Sequence, residues 1–199
     1  PIDTNETIER ITINPLNMND NNYLYTTLAH EGYPGHLYQH VYTKNTDIPE
    51  IRYILSYPGY KDGWATYIET YVLNYLEEEE ALMMRLLDIN DMFTNITLCL
   101  ADIGINYEGW NIDETSDFIN EFLPGADVQM IYEQLVEVPA NYAQYFYTAY
   151  VIQELREKAQ DELGDKFTDV GFHKAILDPG PAPFSLIEKS VEAYIKENK

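Results

Sequence analysis

Of the four histidines in this chain, three fall between positions 30 and 40: His30, His36 and His40. His30 is followed directly by Glu31. Two neutral imidazoles can hold a zinc ion, and a glutamate beside the metal can take the proton of a water that attacks a carbonyl. The spacing, however, is not that of one helix face. Six residues of ideal helix rotate by roughly 600°, which leaves His30 and His36 about 120° apart. Pro34 removes a backbone donor and Gly35 tolerates strained dihedrals, so a bulge between them could return His36 to the side of His30. A rival pair is His36 with His40, one turn apart on regular helix but without a glutamate directly after its first histidine. The bland alternative is a polar helix with incidental histidines.

The partners of such a pair must come from elsewhere in the chain. Asp62 and Glu69 lie seven apart, two turns along one helix face, so either carboxylate could complete a three-ligand site. From position 139 onward an aromatic-rich helix carries Tyr142, Tyr145, Phe146, Tyr147 and Tyr150, and a tyrosine hydroxyl aimed at a reacting carbonyl can stabilise an oxyanion. Arg156, further along that helix, is either a surface ion pair or a clamp for a substrate carboxylate.

The run His30-Glu31-Gly32-Tyr33-Pro34-Gly35-His36 with Gln39 resembles the signature of the bacterial family called domain of unknown function 885, grouped with the glutamate-zinc (gluzincin-like) metallopeptidases. Further segments resemble it in the same order. They are Asp62-Gly63-Trp64-Ala65-Thr66-Tyr67-Ile68-Glu69, Asp102-Ile103-Gly104 with Gly109-Trp110, Pro139-Ala140-Asn141 with Tyr145, the stretch from Leu155 to Phe167, Phe172-His173, and Gly180-Pro181-Ala182-Pro183. The resemblance covers nearly the whole chain and implies the C-terminal, motif-bearing part of a longer protein with an N-terminal helical region. It implies Zn²⁺ as cofactor, a peptide substrate, and the position of Asp62 as third metal ligand. The family normally has Glu there; the shorter acid leaves Glu69 as the second candidate. Tyr145 falls on the family's tyrosine and His173 on its histidine, which implies a catalytic role for both. The family's exported members imply an extracytoplasmic location.

The chain of 199 residues is expected to form a single domain that buries about 70% of its unfolded surface. The predicted fold is mainly α, a multi-helix domain with a zincin-like active-site helix and one or two short strands near the N-terminus. The first strand is expected over 8 to 14, where β-branched residues end at Pro15. At a sheet edge it could pair with an extended peptide. Helices are expected from about Tyr23 to Val41 and from Lys61. Another is expected from Ala81 to Ile105, where apolar periodicity reads as core. An Asn111/Glu114 capping box announces one to Phe122, and others follow at 127 to 136, from Pro139, in a segment capped by Asp169, and at 184 to 195.

With 34 acidic against 12 basic residues the formal charge is -22, which repels nucleic acid and anionic membranes and argues against both as partners. No stretch reaches the length of a membrane span. The single Cys99 stands in an apolar run and is expected in the core.

The expected function is that of a zinc-dependent hydrolase, most simply a peptidase. His30, His36 and Asp62 or Glu69 would hold the metal, Glu31 would act as base, and Tyr145, with His173, would stabilise the oxyanion. Two other readings are a metal-binding domain without turnover and a metal-free module whose acidic, tyrosine-rich groove captures cationic peptides.

Overall fold

A computed structural model describes residues 11–14, 23–55 and 57–199. The fold is mainly α, with no strand among the described residues. The helices are α1 (Leu24–Glu31), α2 (His36–Lys44), α3 (Ile51–Ile54), α4 (Pro58–Val72), α5 (Glu78–Ile103), α6 (Ile112–Phe122), α7 (Val128–Glu137), α8 (Thr148–Leu163), α9 (Asp169–Leu177) and α10 (Phe184–Asn198). Of the strand expected over 8 to 14, residues 11–14 have no regular structure, and the rest lies outside the described residues.

α4 is the element around which the others pack. Pro58 opens it, where a missing N–H costs nothing and a fixed φ suits the first turn. Tyr60, Trp64, Ala65, Tyr67, Ile68 and Val72 are all buried, a share too large for one apolar stripe, so neighbours must cover α4 on several sides. α1 lies on one side of it, α8 on another, and α9 and α10 complete the core through Phe172, Ile176, Ile187 and Val191. Each fully buried side chain of this size contributes about 1.5–3 kcal/mol of transfer free energy. Gly63 sets how closely α8 can approach, because a Cβ there would stand 2.2 Å from the Thr148 hydroxyl oxygen.

A second, smaller core joins the C-terminal half of α5 to α6 and α7 through Leu98, Ala101, Ile105, Ile119 and Leu135. The capping box expected at the start of α6 is present. The Asn111 side chain accepts from the N–H groups of Asp113 and Glu114, and the Glu114 carboxylate accepts from the Asn111 N–H at 2.9 Å. The cap of α9 differs from expectation: Thr168, not Asp169, precedes the helix, and its hydroxyl accepts from Gly171 N–H at 3.1 Å. A hydroxyl on an extended residue reaches the first turn, whereas Asp169 is already helical.

α5 departs from its expected place in the core. Its apolar periodicity is real, but Leu82, Leu86 and Ile89 are 73%, 64% and 65% exposed, and Phe93, Ile96, Leu100 and Ile103 are exposed too. The spacing alternates between three and four, a seam of the coiled-coil kind. Periodicity reports that a face is apolar, not that something covers it. Cys99 on the same helix is half-buried rather than core, and burial with the nearby Asp102 charge pushes its thiol up to about 11, so it is not a ready nucleophile.

Asp102, two residues before a π-helical turn at Gly104–Glu108, is a buried carboxylate with two partners. It accepts from the Asn106 side-chain amide at 2.9 Å and from the Ala140 backbone N–H at 2.6 Å. Ala140 has φ 62, a left-handed conformation that costs an alanine on the order of 1 kcal/mol. The carboxylate holds that turn in place and thereby fixes where the tyrosine-rich segment after it begins.

Candidate metal centre

α1 ends at Glu31 and α2 starts at His36, so the helical stretch expected from Tyr23 to Val41 is interrupted at the Pro34–Gly35 irregularity. The chain turns through Gly32-Tyr33-Pro34-Gly35, with a cis bond between Tyr33 and Pro34. The turn folds back tightly: Gly35 N–H donates to the Ala29 carbonyl at 2.9 Å, and the Trp64 indole N–H donates to the Pro34 carbonyl at 3.0 Å. As a result the His30 and His36 rings stand 4.8 Å apart, edge to face. The bulge does what the six-residue spacing demanded. His40, the alternative partner of His36, is not part of this cluster.

Asp62 comes in from α4. One ligand atom each from His30, His36 and Asp62 lie within 4.8 Å of one another, with His36 Nε2 3.5 Å from Asp62 Oδ1. Zinc at about 2.1 Å from each donor requires donors no more than about 4.2 Å apart, so binding would draw the three slightly inward. Two imidazoles and one carboxylate are the donor types a catalytic zinc site uses.

Glu69 plays a different part from Asp62. Its Oε1 stands 2.6 Å from His30 Nδ1. A carboxylate can only accept, so Nδ1 carries the proton, and in the neutral ring Nε2 keeps its lone pair for a cation, the arrangement that orients metal-binding histidines. Burial alone would lower the His30 pKa, but the Glu69 hydrogen bond and charge, with Glu31 and Asp62 adding, carry it above the usual histidine value. His36 behaves oppositely: burial and the neighbouring His30 hold it below that value, against the pull of Asp62 and Glu31. Glu69→Gln should keep the fold and weaken zinc binding about 10–100-fold, measured by competition with a chelating dye. Unchanged affinity would remove Glu69 from this role.

Tyr145 sits in a π-helical turn, Ala143–Tyr147, packed against α4. The extra residue of a π turn re-aims the side chains around it. The Tyr145 hydroxyl is held above its usual pKa by burial and by the charges of Asp62 and Glu31, so it faces the same acidic groups and stays a donor at neutral pH.

His173 and Arg156 lie elsewhere. Trp64, Tyr67 and Tyr71 project from α4 roughly 180° away from Asp62 and Glu69. His173 packs against those rings, 5.3 Å from Trp64 and 4.7 Å from Tyr71, with its Nε2 2.9 Å from the Tyr67 hydroxyl. Arg156 pairs with Asp169 and lies over the rings of Tyr71 and Phe167 at 5.6 and 5.3 Å. Neither belongs to the cluster of donors. Their place is a polar knot that ties α8 and α9 to the face of α4 that bears Trp64, Tyr67 and Tyr71.

Burial holds the His173 pKa down to about 4, from an ordinary 6.5. The unfolded chain therefore binds the proton more readily than the folded one, and stability present above pH 6.5 falls as pH drops toward 4. The effect is at most about 3 kcal/mol. In denaturant unfolding across that window, His173→Gln should flatten the decline relative to wild type. An equal slope in both would show that His173 does not drive it.

Sequence reasoning gave no role to Asp102 or to the Trp64 indole, yet one fixes the turn before Tyr145 and the other anchors the loop between the histidines. An acid inside an apolar helix was the available signal for Asp102. Nothing local pointed to a Trp64 partner thirty positions away.

A family model described as "Bacterial protein of unknown function (DUF885)" matches residues 4–191. The chain belongs to this family. Among solved structures, the DUF885 chain is similar to "the putative lipoprotein from Colwellia psychrerythraea", with a TM-score of 0.74 and 26% identity. The match covers 88% of this chain and 31% of that one, so the chain spans about a third of its solved relative. No curated protein matches it.

Proposed function

We propose that this DUF885 chain carries a zinc-dependent hydrolytic centre that cleaves peptide bonds, in the manner of the glutamate-zinc peptidases. The observation that supports it most is the convergence of His30, His36 and Asp62 with the Nδ1 proton of His30 already committed to Glu69. A donor set with its tautomer fixed is prepared for a cation, which a chance cluster on an acidic surface is not. Zinc bound by these three groups supplies polarisation of the carbonyl and a lowered pKa for water.

The remaining steps belong to side chains of the chain itself. Glu31, next to His30 at the end of α1, takes the proton of the attacking water and returns it to the leaving amine. Tyr145 donates its hydroxyl hydrogen to the oxygen that becomes negative during attack. Asp62 stands where the wider family has Glu, and the approach of α4 to the histidine turn brings the shorter side chain within reach of His36. The lipoprotein description of the solved relative supports a location outside the cytoplasm.

The test is the metal content of the natively purified chain by elemental mass spectrometry, for wild type, His30→Ala and His36→Ala. Near-stoichiometric zinc in wild type and its loss in both variants is the expected result. Wild type that stays metal-free after zinc is added back would overturn the proposal.

A further inference from the structure

The walls of the candidate centre continue into a cavity of about 290 Å³ that shares His36 with the metal cluster. Its lining includes Arg52 from α3, Lys61 from α4 and His40 from α2, and no carboxylate. In a chain with 34 acids and only 12 Lys and Arg, an average patch of surface carries nearly three acids for every base. This cavity reverses that ratio. Neither Arg52 nor Lys61 makes an ion pair with a carboxylate among the described residues.

Arg52 is also held in place. Its guanidinium donates to the Pro179 carbonyl, which fixes the plane of the fork and leaves its other donors for a partner. A cation so anchored loses little side-chain freedom when it binds. Lys61, exposed and directly before Asp62 in sequence, adds a mobile charge at the rim.

Resting on the zinc-peptidase reading, we propose that this cavity is a subsite for a carboxylate of the substrate, placed beside the scissile bond by its shared wall at His36. Two sources supply that chemistry, the C-terminal carboxylate of a peptide and an acidic side chain. In either case the anionic group pairs with Arg52 and Lys61 while the carbonyl of the neighbouring peptide bond lies toward His30 and His36. Within an otherwise repulsive acidic surface, such a cavity also selects where an anionic substrate can land.

The test is calorimetric titration of the 199-residue chain, with and without added zinc, using four probes: acetyl-Ala-Ala as acid and as amide, and acetyl-Ala-Glu-amide with acetyl-Ala-Gln-amide. One anionic probe should bind about tenfold more tightly than its neutral counterpart, as expected for a charge-assisted hydrogen bond. Preference within the first pair identifies a terminal carboxylate and within the second an acidic side chain. Lys61→Ala and Arg52→Gln should each reduce the preference to a few-fold, and Arg52→Lys, which keeps the charge, should restore part of it. Equal binding of anionic and neutral probes, or a preference that survives both substitutions, overturns the proposal. Zinc content of the same samples separates the two readings. A zinc-loaded chain without anion preference leaves the metal centre standing and removes the subsite. Anion preference in a chain that takes up no zinc keeps the subsite and removes the hydrolase.

Discussion

Glu31→Gln should leave zinc content unchanged and lower kcat for peptide cleavage by about 10²–10⁴-fold, with KM nearly constant. The amide has the size of the carboxylate but cannot accept a proton, so it removes general-base catalysis and little else. The expectation rests on position. Glu31 follows His30 at the last residue of α1, and its charge is felt by His30, His36 and Tyr145 alike. That places the carboxylate near the cluster, while the three grouped donors are His30, His36 and Asp62. Steady-state kinetics on zinc-quantified protein decides the matter, and a turnover within tenfold of wild type would exclude Glu31 as the base.

Gly35→Ala should abolish the zinc binding proposed for this site and cost the fold about 3 kcal/mol or more. A Cβ at position 35 would stand 1.9 Å from the His30 carbonyl oxygen and 2.3 Å from that of Ala29. These are backbone atoms at the end of α1, which cannot swing aside as a long side chain would. Relief requires the turn to open, which breaks the Gly35 to Ala29 hydrogen bond and parts the two histidines. Overpacking commonly costs 1–3 kcal/mol, and a backbone clash this deep belongs at or beyond the upper end. A shift of 1 Å among catalytic groups is itself worth about 10² in rate. Thermal unfolding and zinc titration of the variant give the answer, and a wild-type melting temperature with wild-type affinity would contradict the steric argument.

The most local signals in the sequence were the most readable. Asn111 and Glu114 announced the start of α6 because a capping box is closed by atoms three residues apart. Pro34 and Gly35 announced the break between His30 and His36 because both act on their own backbone. Asp62 and Glu69 were recognisable as a pair on one helix face, but not which of them meets His36 and which His30. That choice depends on how α1 and α2 cross α4. His173 was given a role by resemblance and Arg156 was left as an ion pair or a substrate clamp; the packing of α9 and α8 sets His173 against Trp64, Tyr67 and Tyr71 and pairs Arg156 with Asp169. A helix pattern fixes which residues share a face, and only tertiary packing fixes what that face meets. The same distinction explains α5, whose apolar rhythm was legible and whose exposure was not.

That exposed seam sets the colloidal character of the chain. Against a net charge of -22, which keeps copies apart, stands a row of leucine, isoleucine and phenylalanine along α5 that draws apolar surfaces together. The repulsion is long-ranged and weakens as ions screen it, while the attraction of apolar surface persists or strengthens in kosmotropic salt. Dilute, low-salt buffer therefore favours dispersion of the isolated chain, and added sulfate or phosphate shifts the balance toward contact through the seam.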